Sequence, residues 1–266
     1  MPGDSRGAPP ADSQPDGAGT KEIVKFVILA APRTGSNWVC SMLNSHPQIL
    51  CHHEIFNPGG IHYALDYRHG ELDLGSLEER ERAPLLFLDR LWQQPFGHRA
   101  VGFKLNRQQH AAVFESVLGN RDVRKIILVR RNRVKTFVSE MLAEQTGRWE
   151  SYEASLRCGE RRKIAVDPAA LFEHIALNGA YYRRMRESLE ATGQSFLSVA
   201  YEDLNSETQW RLLLQFLGVQ SDGCTLTPAT RKQNSSDLRD LISNFAQLEA
   251  ALDDAELKAQ LHALEF

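Results

Sequence analysis

The apolar positions of the chain fall into short blocks that switch between two periods. Ile23-Val24-Lys25-Phe26-Val27-Ile28-Leu29-Ala30 is a nearly continuous apolar run ending at the turn residues Pro32-Arg33-Thr34-Gly35, the pattern of a strand buried on both faces. From Ser36 the period becomes helical, with Trp38, Val39, Met42 and Leu43 on one face. The alternation repeats downstream. It predicts strands at 48–51, 100–105, 125–129 and 195–201, and helices at 85–92, 111–118, 134–144, 168–191 and 207–217. Strands and helices alternating at this spacing predict an α/β fold, a P-loop-like, doubly wound parallel sheet flanked by helices in a single domain over 23–245.

Outside these blocks the pattern weakens. Residues 1–22 are rich in Gly and Pro and carry no large apolar side chain after Met1, so they read as a disordered tail. The polar stretches 57–82 and 147–167 have the length of functional lids or of mobile surface loops. In 246–266, Leu248, Leu252, Ala255 and Leu257 predict an amphipathic C-terminal helix that docks on the body or on a second subunit.

Composition narrows the class. With 266 residues, 42% hydrophobic and 24% charged, the chain has the balance of a globular protein able to bury a full core. Lys and Arg number 31 against 34 Asp and Glu, and a net charge of -3 lacks the footprint of a nucleic-acid binder, so a bound polyanion must be met locally. No stretch approaches the roughly 18 apolar residues of a membrane span, and the N-terminus has no signal-peptide core; a reducing cytoplasm is the expected compartment. Cys40, Cys51, Cys158 and Cys224 form no C-x-x-C pair and read as free thiols.

Two stretches carry anion-binding chemistry. A strand running into Ala31-Pro32-Arg33-Thr34-Gly35-Ser36-Asn37-Trp38 and then a helix presents backbone N–H groups to an anion, with Arg33 as a cation and Thr34 and Ser36 as hydroxyls. The Walker lysine and Mg²⁺-ligating hydroxyl are missing after Gly35, which argues against a metal-dependent NTPase or kinase. The second stretch follows the strand at 125–129. There Arg131, with Ser139 eight residues on, supplies a guanidinium fork and a hydroxyl that would converge on one phosphate.

In this order and spacing the two stretches resemble the sulfotransferases that use 3′-phosphoadenosine 5′-phosphosulfate (PAPS). Pro32-Arg33-Thr34-Gly35-Ser36 is similar to the family's 5′-phosphosulfate loop, Arg131-Asn132 with Ser139 to its 3′-phosphate motif, and Tyr201-Glu202-Asp203-Leu204 to a sequence that follows a late strand. Ser45-His46-Pro47, His53-Glu54-Ile55-Phe56-Asn57-Pro58, Gly102-Phe103-Lys104-Leu105 and Gln145-Thr146-Gly147-Arg148-Trp149 look most like bacterial carbohydrate sulfotransferases of the trehalose and nodulation type. The resemblance spans about Val24 to Phe245 and is far more specific for the donor than for the acceptor.

The resemblance implies an in-line, metal-independent transfer of a sulfuryl group from PAPS to a hydroxyl of a carbohydrate, glycolipid or small metabolite. It implies Glu54 as base, Arg33 as the cation at the leaving oxygen, and Lys104 at the sulfuryl group or acceptor. Nucleotide binding is expected from Arg33, Thr34, Gly35, Ser36, Asn37, Trp38, Arg131 and Ser139, and from Lys232 and Gln233 with Arg231 beside them in a late loop. His53 and Trp149 are expected near the acceptor, with His53 a competing base. Trp38 and Trp149 would stack on a ring or simply pack. His46, Cys51, His52, His53, Glu54 and His62 fit no standard metal spacing, and no metal is expected. The related trehalose enzymes imply a homodimer. The alternatives are a kinase-like phosphotransferase and a non-catalytic nucleotide-binding module.

Overall fold

In the computed structural model, which describes residues 22–68, 72–149, 163–220, 225–229 and 235–264, five strands form one parallel sheet in the order β2-β3-β1-β4-β5. β1 (Val24–Ala30) is central, between β3 (Ala100–Asn106) and β4 (Val123–Val129); β2 (Ile49–His52) lies beyond β3 and β5 (Phe196–Ala200) beyond β4. Successive side chains alternate between faces. Val27, Leu29, Val101, Phe103 and Ile127 pack under α3 (Pro84–Trp92), α4 (Ala111–Gly119) and the far half of α6 (Pro168–Ala191). Phe26, Ile28, Ala30, Ile126 and Leu128 pack under α1 (Ser36–Asn44) and α7 (Glu207–Phe216). Because helices cover both faces, the central strands must be apolar throughout, which is why they read as runs rather than as alternations. Gly102 is required by this packing: a Cβ there would lie 2.3 Å from the Phe26 carbonyl oxygen on the neighbouring strand.

The chain leaves β1 through α1 toward the β2 edge and leaves β3 through α4 toward β4, on the other side of β1. Loops that part in opposite directions open a crevice at the carboxyl ends of the central strands, where open α/β sheets bind ligands.

Two stretches differ from the sequence expectation. Within 57–82, α2 (Leu77–Arg82) starts at a capping box, Ser76 accepting from the Glu79 N–H while the Glu79 carboxylate accepts from the Ser76 N–H. Fully buried Arg80 donates to the Ile55 and Gly60 carbonyls at 2.7 and 2.9 Å, and Leu72 and Leu74 join the core. The described residues of this segment, 57–68 and 72–82, form a packed cover fastened to the end of β2 rather than a mobile surface loop. The C-terminal stretch is two helices, α8 (Phe245–Ala251) and α9 (Ala255–His262), because Asp254 caps a new helix by accepting from the Glu256 and Leu257 N–H groups. Leu248, Leu252, Leu257 and Leu261 pack with Val134, Phe137, Val138 and Leu142 of α5 (Arg133–Thr146), so the docking is on the body of the same chain. Most of the 147–167 stretch lies outside the described residues.

Candidate active site

The phosphate-type loop leaves β1 in strained backbone. Arg33 has φ 61° and Gly35 φ 85°. At Gly35, a Cβ would also lie 2.3 Å from the Tyr201 ring, so both conformation and space require glycine. Gly35 is the N-cap of α1, and no side-chain cap bond is made at this end among the described residues, which leaves first-turn N–H groups and the positive end of the helix dipole at the carboxyl end of β1. Thr34 is spent locally, donating to the Ala31 carbonyl at 2.9 Å, and Ser36 is buried in the first turn.

The second anion motif meets this loop. Arg33 Nε donates to Ser139 Oγ at 2.9 Å across 106 residues of chain, and Arg130 donates to the Arg33 carbonyl at 3.0 Å. Ser139 projects from α5, two turns beyond its N-cap Asn132, whose side chain accepts from the Lys135 N–H. Arg131 does not reach toward Ser139; its guanidinium pairs with Asp203 and, at 3.7 Å, with Glu202. Tyr201-Glu202-Asp203 forms a 3-10 turn after β5 that fastens the site: Tyr201 lies over Gly35 and under the Arg130 guanidinium, and Glu202 accepts from the Asn132 N–H at 3.1 Å.

A second polar cluster, around Glu54 and Lys104, is built at the ends of β2 and β3. Lys104 is buried on the α1 face of β3, where its ammonium bonds Asn37 Oδ1 and pairs with Glu54 Oε1 at 2.7 Å. The Glu54 carboxylate also accepts from Asn106 Nδ2 at 3.0 Å, Asn57 Nδ2 at 2.7 Å and Gln109 Nε2 at 2.5 Å. Burial pushes this carboxyl up, but the Lys104 ammonium and the hydrogen bonds from Lys104, Asn57 and Gln109 outweigh it and hold the pKa at about 2. Glu54 is therefore held as an anion beside Lys104. One lysine thus connects the helix of the phosphate-type loop to the carboxylate.

The other expected residues divide. His53 is fully buried, its Nδ1 3.3 Å from Asn37 Oδ1, so it stands behind the same asparagine that Lys104 grips. Trp38 packs edge-on against Tyr201 and Trp210 at 5.8 and 5.5 Å, which favours packing over stacking on a ligand. Trp149 is 46% exposed and enters the site through its carbonyl, which accepts from Arg33 at 2.5 Å. Lys232 and Gln233, with Arg231, lie outside the described residues. The His and Cys run disperses: Cys51 meets Cys40 with sulfurs 3.5 Å apart, whereas His52 lies edge-on to Tyr63 and Tyr67, and burial lowers its pKa to about 3.

Sequence reasoning missed two sets of residues. Asn57, Asn106 and Gln109 enclose Glu54, but each comes from a different loop or strand end and has no periodic signal. Tyr182 of α6 accepts from the Ala31 N–H at 2.8 Å and donates to the Leu128 carbonyl at 2.9 Å, pinning β1 to β4 where the phosphate-type loop departs.

No protein-family model matches the chain. Among curated proteins it is similar to nodulation protein H of Rhizobium tropici, 26% identical over 229 residues that cover 84% of this chain and 87% of that protein. It is likewise 24% identical to nodulation protein H of Rhizobium meliloti (strain 1021), over 84% of this chain and 89% of that one. Among solved structures, a sulfotransferase from Alicyclobacillus acidocaldarius aligns with 90% of this chain and 96% of its own at 20% identity and a TM-score of 0.44. The chain is thus similar over most of its length to nodulation protein H, and it resembles the sulfotransferases that use PAPS.

Proposed function

We propose that this chain transfers a sulfuryl group from PAPS to a hydroxyl of a carbohydrate, glycolipid or small metabolite, without a metal. The observation that carries the reading is the Arg33–Ser139 contact, which brings two anion motifs 106 residues apart to one place beside the N-terminus of α1. A nucleotide with phosphate groups at both its 5′ and 3′ ends is the ligand that such a pair of motifs suits.

PAPS supplies an activated sulfuryl group whose bridging oxygen departs as an anion. The residues of this chain provide what that chemistry demands. Arg33 and the α1 N–H groups hold the 5′ end and stabilise charge that develops there, which preorganised donors do without reorganisation. Ser139 and Arg131 hold the 3′-phosphate, Arg131 exchanging its bonds to Asp203 and Glu202 for the ligand. Lys104 lies between Asn37 of the donor side and Glu54 of the acceptor side, where a cation serves the transferred group.

Glu54 orients the acceptor hydroxyl and takes its proton. A carboxylate held near 2 is a weak base toward a free alcohol, so the proton moves late, once the new oxygen–sulfur bond has acidified the hydroxyl. The test is transfer of labelled sulfur from PAPS to an acceptor mixture in the presence of a chelator. Glu54→Gln should bind adenosine 3′,5′-bisphosphate (PAP) as the parent does while losing about 10² to 10⁴-fold in turnover. Unchanged turnover would remove Glu54 from the chemistry.

A further inference from the structure

Asn106 ends β3 next to Glu54 and is only 9% exposed. Its amide has two ends with different fates. Nδ2 donates to Glu54 Oε1 at 3.0 Å, while the Asn106 N–H donates to Gln109 Oε1 at 2.9 Å, so backbone and side chain are both held in place. Oδ1 is buried and has no hydrogen-bond partner among the described residues. Turning the amide over would not relieve it, because the carbonyl would then face the carboxylate and repel it. Glu54 thus fixes which way Asn106 points, and the fixed orientation leaves a buried acceptor atom one amide width from the carboxylate that meets the reacting hydroxyl. Buried acceptors are costly to leave unpaired, and such an atom beside a reaction centre calls for a donor.

Resting on the proposed transfer reaction, we infer that Asn106 Oδ1 accepts a hydrogen bond from a second hydroxyl of the acceptor, so that the site selects substrates carrying two neighbouring hydroxyls, one donating to Glu54 and the other to Asn106. Glu54 and Asn106 then form a pair of adjacent acceptors that matches the adjacent donors of a diol. Asn57 and Gln109 complete the enclosure on the other carboxylate oxygen, and their own amide oxygens accept from the Gly59 and Asn106 N–H groups, so of the three amides only that of Asn106 has a buried oxygen without a partner among the described residues.

The experiment uses the full chain with PAPS and four probes: cyclohexanol, its vicinal diol, methyl glucopyranoside, and the monodeoxy forms of that glucoside. Transfer is measured as kcat/KM, and calorimetry reads binding of the same probes to the enzyme–PAP complex. Expected for the parent enzyme is a preference of about tenfold or more for probes that keep both hydroxyls. In Asn106→Ala, loss of the Glu54 contact lowers transfer to every probe alike, whereas loss of Oδ1 affects only the diols, so the diol preference should fall to about one in both readouts. Equal use of single alcohols and diols by the parent, a preference that survives in Asn106→Ala as it would if Oδ1 merely held a water, or rejection of every probe by an enzyme that binds PAP would each overturn the inference. If PAP itself does not bind, the proposed reaction fails first, and this inference falls with it.

Discussion

Glu54 keeps its charge in a largely buried position because Lys104, Asn57, Asn106 and Gln109 all direct donors at it. This has a kinetic consequence. With the carboxyl held at about 2, Glu54 is ionised at every ordinary pH, and kcat/KM should stay flat from about pH 7 down to about pH 5. A rate that falls across this range would remove Glu54 as the base, so a pH–rate profile tests the assignment directly. There is also a consequence for stability. A carboxyl lowered from 4.5 to about 2 on folding contributes up to about 3 kcal/mol above pH 4.5, and that contribution is lost as pH falls through 2. Urea unfolding at pH 5 and pH 3 should show a smaller acid loss in Glu54→Gln than in the parent. An equal loss would mean that the carboxyl is not held down.

At the scale of elements, α6 does more than cover the sheet. The Tyr182 hydroxyl joins the Ala31 N–H to the Leu128 carbonyl, both buried, at the point where β1 and β4 hand the chain to the two anion motifs. Tyr182→Phe keeps the ring and removes the hydroxyl's bonds to the Ala31 N–H and the Leu128 carbonyl, which should cost about 1–3 kcal/mol of stability. Because the hydroxyl sets the spacing of the two strand ends, PAP affinity should also fall, by about tenfold; calorimetry that finds the parent's affinity would limit Tyr182 to packing. This residue shows where sequence reading stops. The strands were legible because full burial makes them apolar runs, and the helices because amphipathic periods mark them. A tyrosine within a long amphipathic helix carries no sign that its hydroxyl ends between two strands, since that depends on sheet order. The helix inside 57–82 did have a local signal, Ser76 followed by Glu79, the capping-box pair.

At the scale of the molecule, the site is assembled from distant parts of the chain and then tied together. Arg33 from β1's loop meets Ser139 of α5; the turn after β5 supplies Glu202 and Asp203; and α9 reaches back, the Gln260 carbonyl accepting from Asn132 Nδ2 at 2.9 Å and its side chain from the Arg133 N–H at 2.7 Å. The motifs proposed for donor binding were visible in the sequence because a strand, a turn and a helix N-terminus are contiguous. The enclosure of Glu54 was not, because Asn57, Asn106 and Gln109 become neighbours only when β2 lies beside β3. For the same reason the donor is far better specified than the acceptor. Arg131→Ala should weaken PAP by about tenfold more than it weakens adenosine 5′-phosphate, which lacks the 3′ group.

The most direct test of the donor site is the melting temperature of the full chain with PAP and, separately, with ADP and Mg²⁺. A ligand at about 100 times its Kd adds roughly 2.7 kcal/mol, enough to raise the midpoint by several degrees. A rise with PAP and none with ADP and Mg²⁺ is the result predicted for converging 5′ and 3′ anion motifs. A rise only with ADP and Mg²⁺ would contradict the sulfuryl-transfer reading and point to a phosphotransferase.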